Sequence, residues 1–458
     1  MLKQGKYDDF SLTSYGRLGH FFDFMFRAGV LKIVKRLGIH KRDNGINIMH
    51  LALLWFAKAV LGFAYVDNLK FMFRDKHLMR LCGFTPQQIE EGYSKRSSKR
   101  GLKPVHTDSV RNFGSALPVG LREKLFTEVV QVVKKKELIK GGVFALDAKF
   151  VTVEGNKFEF ADRGLDLRTD RMKQGYKLFL LQNIHKGHEY IVCAALKPAT
   201  QGEASMMLPM VEKALEILGK GAIKTLLIDR GYLSGPDLYK LKYKLGIDFI
   251  IPGKSDLDVV RDAKALSKAY RECGFRIAKP DIEVAACPSM NCYVQYSDGI
   301  KEGQRKRRGK HPGLINVLFV RDNTVPRDEK NQERIWSYLT SLPMDTNDTP
   351  EQLYGIYRLY RLRWVIENNA FKELSSYWNL TKMPGGKFNT INCHMFFTFA
   401  AYNLVLLFKS KEARRMMGTS VVTFREAFFN TEALVAVYFG GSFGLFKLEE
   451  LLNSLNFR

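Results

Sequence analysis

Residues 349–378 read TPEQLYGIYRLYRLRWVIENNAFKELSSYW. The stretch opens on Thr349-Pro350-Glu351-Gln352, a capping residue with proline at the first helical position and glutamine at the third, which together make a capping box. A helix is expected from there to about Trp378. Leu353, Tyr357, Tyr360, Trp364, Phe371, Leu374 and Trp378 follow one another mostly at steps of three or four, the spacing of one apolar helix face. The single longer step, from Trp364 to Phe371, contains Glu367. A carboxylate is therefore expected inside a buried stripe. An ionised carboxylate there must be paired, protonated or bound to metal. Arg363, one turn earlier, offers a structural ion pair, and a metal site is the other solution; the helix alone leaves both open.

Two further acids end apolar runs. Asp147 follows Phe144-Ala145-Leu146, and Asp229 follows Leu226-Leu227-Ile228. Either alone reads equally well as a strand-end aspartate capping a loop. Around them, strands are expected at Val143–Val153, at Tyr176–Ile184 and Glu189–Leu196 (joined by the turn His185-Lys186-Gly187-His188), at Thr225–Ile228 and at Phe249–Ile251. Helices are expected at Ala204–Leu218, stopped by Gly219 but holding Pro209, and at Pro236–Leu245. Three strands followed by alternating helix and strand describe an α/β fold with an RNase H-like core. Its sheet edge and the adjoining helix could bring Asp147, Asp229 and Glu367 together. Two like charges ~4 Å apart repel by roughly 4 kcal/mol at an effective dielectric of about 20. Three carboxylates held together would ionise only with divalent cations between them. Their hard oxygens suit Mg2+ or Mn2+, and two such ions can clamp the attacking and leaving oxygens of a phosphodiester.

The domain plan reads as an N-terminal helical DNA-binding domain over 1–138, a first catalytic part over 139–254, a β-rich insertion over 255–345, a second catalytic part with the glutamate helix over 346–410, and a C-terminal helical region over 411–458. In the first domain, Thr107 is expected to cap a short helix carrying Arg111, and a further helix to run from about Leu121 to Lys136. Lys95, Arg96, Lys99, Arg100 and Lys103 form a basic arm there; a helical bundle with a solvated basic surface explains this region as well. In the insertion, Cys292–Tyr296 and Leu314–Val320 read as strands flanking a basic loop with Arg305, Lys306, Arg307 and Arg308, a solvated tip that could order on a phosphate backbone.

The 458 residues carry 72 Lys and Arg against 47 Asp and Glu, a formal net charge of +25. Such an excess attracts polyanions, double-stranded DNA foremost, because neutralising phosphates releases counterions. An anionic membrane is the rival partner. No signal pattern marks Met1–Tyr15, and the apolar run Met395–Phe408 is shorter than the roughly 20 residues that span a bilayer, so a buried core helix is expected there. Six scattered cysteines read as reduced thiols, and no Cys or His pair completes a zinc tetrad beside Cys287 and Cys292. Gly253-Lys254-Ser255 ends like a phosphate-binding loop, but Asp248 stands where that loop needs glycine.

Asp229-Arg230-Gly231-Tyr232 resembles the second-aspartate motif of DDE transposases from bacterial insertion sequences. Tyr360, Arg363 and Glu367, spaced three and four apart, resemble the Tyr–Arg–Glu–Lys signature of insertion-sequence family four. Leu146-Asp147 resembles the first-aspartate strand, and the insertion before the glutamate fits the same plan. The resemblance spans about 142–408. It implies a DNA transposase that cleaves strands at transposon ends and transfers them into target DNA, with Asp147, Asp229 and Glu367 as catalytic residues holding two divalent ions, Asp147 shared between the two. It implies DNA-phosphate contacts at Tyr360, Arg363 and Arg230, a homodimer on two terminal inverted repeats, and cytoplasmic residence on the nucleoid. Members of this group can cut through a hairpin intermediate. The signature lysine, seven residues after the glutamate, is Leu374 here. Lys372 is the nearest DNA-binding substitute, although five residues around an α-helix put it on another face. Trp336 could stack on a flipped base but reads more simply as a core residue beside Ile335 and Leu339, and Trp364 reads as core. The competing readings are a domesticated copy that binds DNA without cutting it and an RNase H-like nuclease that does not transfer strands.

Overall fold

Val143–Thr152, the first strand (β1) of the central sheet, begins with Phe144, Ala145 and Leu146 fully buried, as a run covered on both faces must be. The computed structural model describes residues 7–36, 45–93, 103–155, 157–166, 169–298, 312–325, 334–413, 416, 419–429 and 434–454. Two compact units account for them: one of 137–151 and 162–371, the other of 1–136, 152–161 and 372–458.

The first unit is built on a ten-stranded sheet. After β1 come β2 (Asp162–Asp166), β3 (Arg171–Asn183) and β4 (Ile191–Pro198). Ile184 N donates to Val143 O, so the end of β3 meets the start of β1 and the two run antiparallel. Both β2 and β4 pair antiparallel with β3, and the expected His185–His188 turn closes with His188 N donating to His185 O at 2.7 Å. The chain then forms the helix Ala204–Leu218, ended by Gly219 at φ 94° and tolerating Pro209. It returns through β5 (Thr225–Ile228), which lies parallel to β1, and through β6 (Asp248–Pro252), parallel to β5. An antiparallel meander followed by two parallel strands on the other side of β1 is the RNase H-like order.

The region expected as a β-rich insertion begins with a helix, Asp258–Ala269, and then continues the same sheet. β7 (Arg276–Lys279), β8 (Ile282–Met290), β9 (Ile315–Asp322) and β10 (Ile335–Thr340) join it through β10, which pairs antiparallel with β6. The expected strand at Cys292–Tyr296 is a turn instead: Tyr296 N bonds back to Tyr293 O, and the buried Tyr293 and Tyr296 rings stack at 6.3 Å. Their aromatic area is used to plug the core, where a strand would have exposed every second ring.

In the second unit, the 25-residue helix Phe388–Glu412 is buried along nearly its whole length. By length and composition it could cross a membrane, yet its most apolar window is completely enclosed by protein. Phe396, Phe397 and Phe399 meet Phe126, Trp55, Phe56 and Phe113 from the helices Val119–Lys135, Ile48–Val60 and Thr107–Ala116. His106, not Thr107, caps the last of these, its imidazole accepting from Asp108 N. The all-helical expectation for the termini fails in two places. Asp9–Thr13 is a strand, and it pairs with Leu434–Phe439, which forms a hairpin with Ser442–Lys447. The hairpin turn is Gly440-Gly441 at φ 51° and 83°, the positive-φ pair that a two-residue reversal requires.

Candidate active site

Asp147 and Asp229 are brought together by sheet register. Leu146 pairs with Ile228 across parallel strands β1 and β5, so the next residue on each strand is one of the two aspartates. Neighbouring strands lie about 4.8 Å apart, which sets the two acids side by side at the carboxyl end of β5, where open α/β sheets place their ligands. Asp229 then turns the chain into the short 3-10 segment Arg230–Tyr232.

The third acid arrives on a helix that does not run as expected. The α-helix Pro350–Arg361 starts with the full capping box at Thr349 and Gln352 but stops before Arg363. Ile366–Lys372 follows as a π-helix, and α-geometry resumes only at Glu373–Ser376. The break at Leu362 and Arg363, ahead of the π-helix, is where the buried stripe departs from the expected one. Leu353, Tyr357 and Tyr360 face inward as expected, but the next inward residues are Arg363 and Ile366, and Trp364 is 47% exposed. Glu367 is half-buried, not enclosed. π-helices are frequent at functional sites.

Arg363 joins two of the acids. Its Nη1 lies 2.6 Å from Asp147 Oδ2 and 2.9 Å from Glu367 Oε1. The ion pair and the convergence of acids, alternatives in the sequence, coexist in the fold. Asp147 also accepts from Ala148 N at 2.8 Å. Burial pushes the Asp147 carboxyl up to about 7; Arg363 and the Ala148 N–H oppose this, while the charges of Asp229 and Glu367 reinforce it. Burial works against the Arg363 charge, but Asp147, Tyr360, Asp229 and Glu367 outweigh it, so the guanidinium stays protonated.

The other predicted residues divide. Tyr360 is buried, its ring 4.8 Å from that of Tyr338, and burial raises its phenol to about 12. Arg363 is likewise buried, so its predicted phosphate contact requires it to leave the carboxylates. Arg230 is exposed beside Asp229. Trp336 is half-exposed on β10 opposite Val320, not enclosed in the core. Lys372 is exposed and Leu374 fully buried. Lys372 is the last residue of the π-helix Ile366–Lys372. Arg305, Lys306, Arg307 and Arg308 lie outside the described residues. Lys149, two residues past Asp147 and so on the same strand face, donates to Phe371 O at 3.1 Å.

Among the described residues, no three acidic, histidine or cysteine side chains form a ready-made ion cage; the Arg363 guanidinium takes the position between Asp147 and Glu367. The donor set nevertheless fits a hard divalent cation. All three acids offer carboxylate oxygen, and Asp147 is held in a protonation balance that added positive charge would tip toward ionisation.

An RNase H-like sheet with one aspartate within its first strand, a second just past the end of the neighbouring parallel strand and a glutamate on the following helix defines a phosphodiester-processing enzyme. The family described as transposase DDE domain matches residues 139–404. The chain belongs to that family, and it is a DNA transposase, an enzyme of DNA strand cleavage and strand transfer. Enzymes of this family generally use divalent metal ions. Among solved structures, a piggyBac transposase synaptic complex with hairpin DNA, determined by cryo-EM, is similar over 92% of this chain and 82% of that one, at 10% identity and a TM-score of 0.47. The search of curated proteins gives no match.

Proposed function

We propose that this transposase is of the insertion-sequence family four type and works with two Mg2+ or Mn2+ ions held by Asp147, Asp229 and Glu367. The observation that carries the reading is the shared guanidinium contact of Asp147 and Glu367 beside the Leu146–Ile228 register. Bound there, the ions would activate the attacking water or 3′-hydroxyl and offset charge on the leaving oxygen.

Asp147, buried and central, is the carboxylate that would hold both ions. Asp229 and Glu367 flank it from the strand end and the helix. Arg363 keeps the acids compatible before cation and DNA arrive, then turns to a phosphate near the transposon end. Tyr360 packs beneath it and reaches the same backbone. Arg230, Lys372, Trp336 and the basic run Arg305–Arg308 extend the DNA surface, with Trp336 as a stacking partner for an unpaired base. The assembly is a homodimer on two terminal inverted repeats, and the N-terminal helices over 1–138 bind DNA. The excess of 72 basic over 47 acidic residues supports residence on the nucleoid in the cytoplasm, with affinity falling by about 0.9 log unit per log unit of salt for each neutralised phosphate.

The test is incubation with the element's own terminal repeats, target plasmid and Mg2+. Metal-dependent nicking and joining to the plasmid, both lost in Asp229→Asn while DNA binding persists, is the expected result. Binding without nicking would make the chain a non-cutting DNA binder, and nicking without joining a nuclease.

A further inference from the structure

Glu203 lies just ahead of the helix Ala204–Leu218 and belongs to none of the motifs above. Its carboxylate rests on Gly231 of the Asp-Arg-Gly-Tyr turn. A Cβ placed on Gly231 would stand 1.7 Å from Glu203 Oε2 and 2.7 Å from its Cδ, so the glycine is what lets the acid approach. On its other side Glu203 Oε1 lies 3.5 Å from Lys177 Nζ on β3. The next residue, Tyr232, is fully buried, and its hydroxyl has no hydrogen-bond partner among the described residues. That hydroxyl lies within the combined field of Asp147, Glu203 and Asp229. A fourth carboxylate thus braces the turn that begins at Asp229, from an element that carries none of the other three.

We propose that Glu203 is a positioning residue of the acidic site: it fixes the Asp229–Tyr232 turn through Gly231 and adds negative charge that strengthens the site's hold on a divalent cation. The proposal rests on the reading of Asp147, Asp229 and Glu367 as the cation site. Lys177, 3.5 Å from Glu203 Oε1, holds the carboxylate aimed at the turn, and Gly231 transmits its position to Asp229. Because replacing Gly231 would force the carboxylate away, Gly231→Ala and Glu203→Gln should disable the same device.

Mn2+ binding to the full chain without DNA, followed by the electron paramagnetic resonance of free Mn2+, reads the site independently of catalysis. Glu203→Gln is close to isosteric, and thermal melting checks that each variant is folded. The expected result is a three- to tenfold weaker Mn2+ affinity in Glu203→Gln and in Gly231→Ala, with the double variant no weaker than either single one. End cleavage by Glu203→Gln should recover at high Mn2+. Wild-type affinity in Glu203→Gln, with affinity lost in Asp229→Asn, overturns the proposal alone; so do fully additive effects of the two substitutions. Equal Mn2+ uptake by wild type and Asp229→Asn overturns the cation-site reading and the proposal with it.

Discussion

Arg363 Nη1 lies 2.6 Å from Asp147 Oδ2, and both side chains are at least nine-tenths buried. A buried pair contributes little net stability relative to apolar replacements, but removing one member strands the other. Arg363→Ala should therefore lower stability by about 3–5 kcal/mol in the absence of divalent ions. Millimolar Mg2+ should restore part of that loss, because it supplies the missing positive charge. Urea melts with and without Mg2+ read both effects. A variant as stable as wild type in chelator would show the pair to be dispensable.

The pH dependence of the metal-free protein follows from Asp147. Its folded pKa, about 7 through burial, stands above its ordinary 3.8. A raised acid contributes stability that is complete below the ordinary value and is lost as pH rises through the folded one. Stability in chelator should thus fall between about pH 4 and 7, and Asp147→Asn should flatten that part of the profile. Denaturant midpoints at unit pH intervals measure it. Cation binding near pH 6 should release a proton, visible as a buffer-dependent heat in calorimetry.

Lys58 gives an independent test in the other unit. Its ammonium is enclosed in the core, 3.4 Å from His394 Nδ1, and burial lowers it to about 7. A lowered base makes the protein more stable as pH rises from about 7 toward 10.5, since only the unfolded chain binds the proton there. Lys58→Met keeps the volume and removes the buried amine. It should stabilise by roughly 1–4 kcal/mol at pH 7, with the gain shrinking toward pH 10. A Met variant less stable at pH 7 would mean that the His394 bond outweighs desolvation.

Trp364 separates the observed helix from the expected one. The chain has four tryptophans; Trp55 and Trp378 are buried at 1% and 0%, while Trp364 is 47% exposed with the Arg363 guanidinium 5.2 Å from its ring. Acrylamide should quench a component of the fluorescence that Trp364→Phe removes, and that substitution should shift stability by less than about 1 kcal/mol. A large destabilisation would return Trp364 to the core.

Much of this was written in local pattern. The apolar runs before Asp147 and Asp229, the capping box at Thr349, the Gly219 stop and the His185–His188 turn each follow from neighbouring residues, because hydrophobic period and turn chemistry act over a few positions. Asp147, Asp229, Tyr360, Arg363 and Glu367, the positions that resembled a transposase signature, were likewise readable from short spacings. Other elements were not. Leu434–Phe439 reads as apolar helix until Gly440-Gly441 reverses it and Asp9–Thr13 supplies a partner strand over four hundred residues away.

The sequence by itself determined which side chains carry charge into apolar surroundings and which segments can be strands or helices. Only the tertiary structure decided that β1 and β5 pair in the register that aligns Leu146 with Ile228, that the glutamate helix opens into a π-turn, and that Arg363 serves Asp147 as well as Glu367. The reason is physical. A turn of i→i+5 bonding is disfavoured in an isolated helix, so the contacts of the folded protein, not local spacing, must impose it. Strand register depends on partners distant in the chain, which no local spacing records.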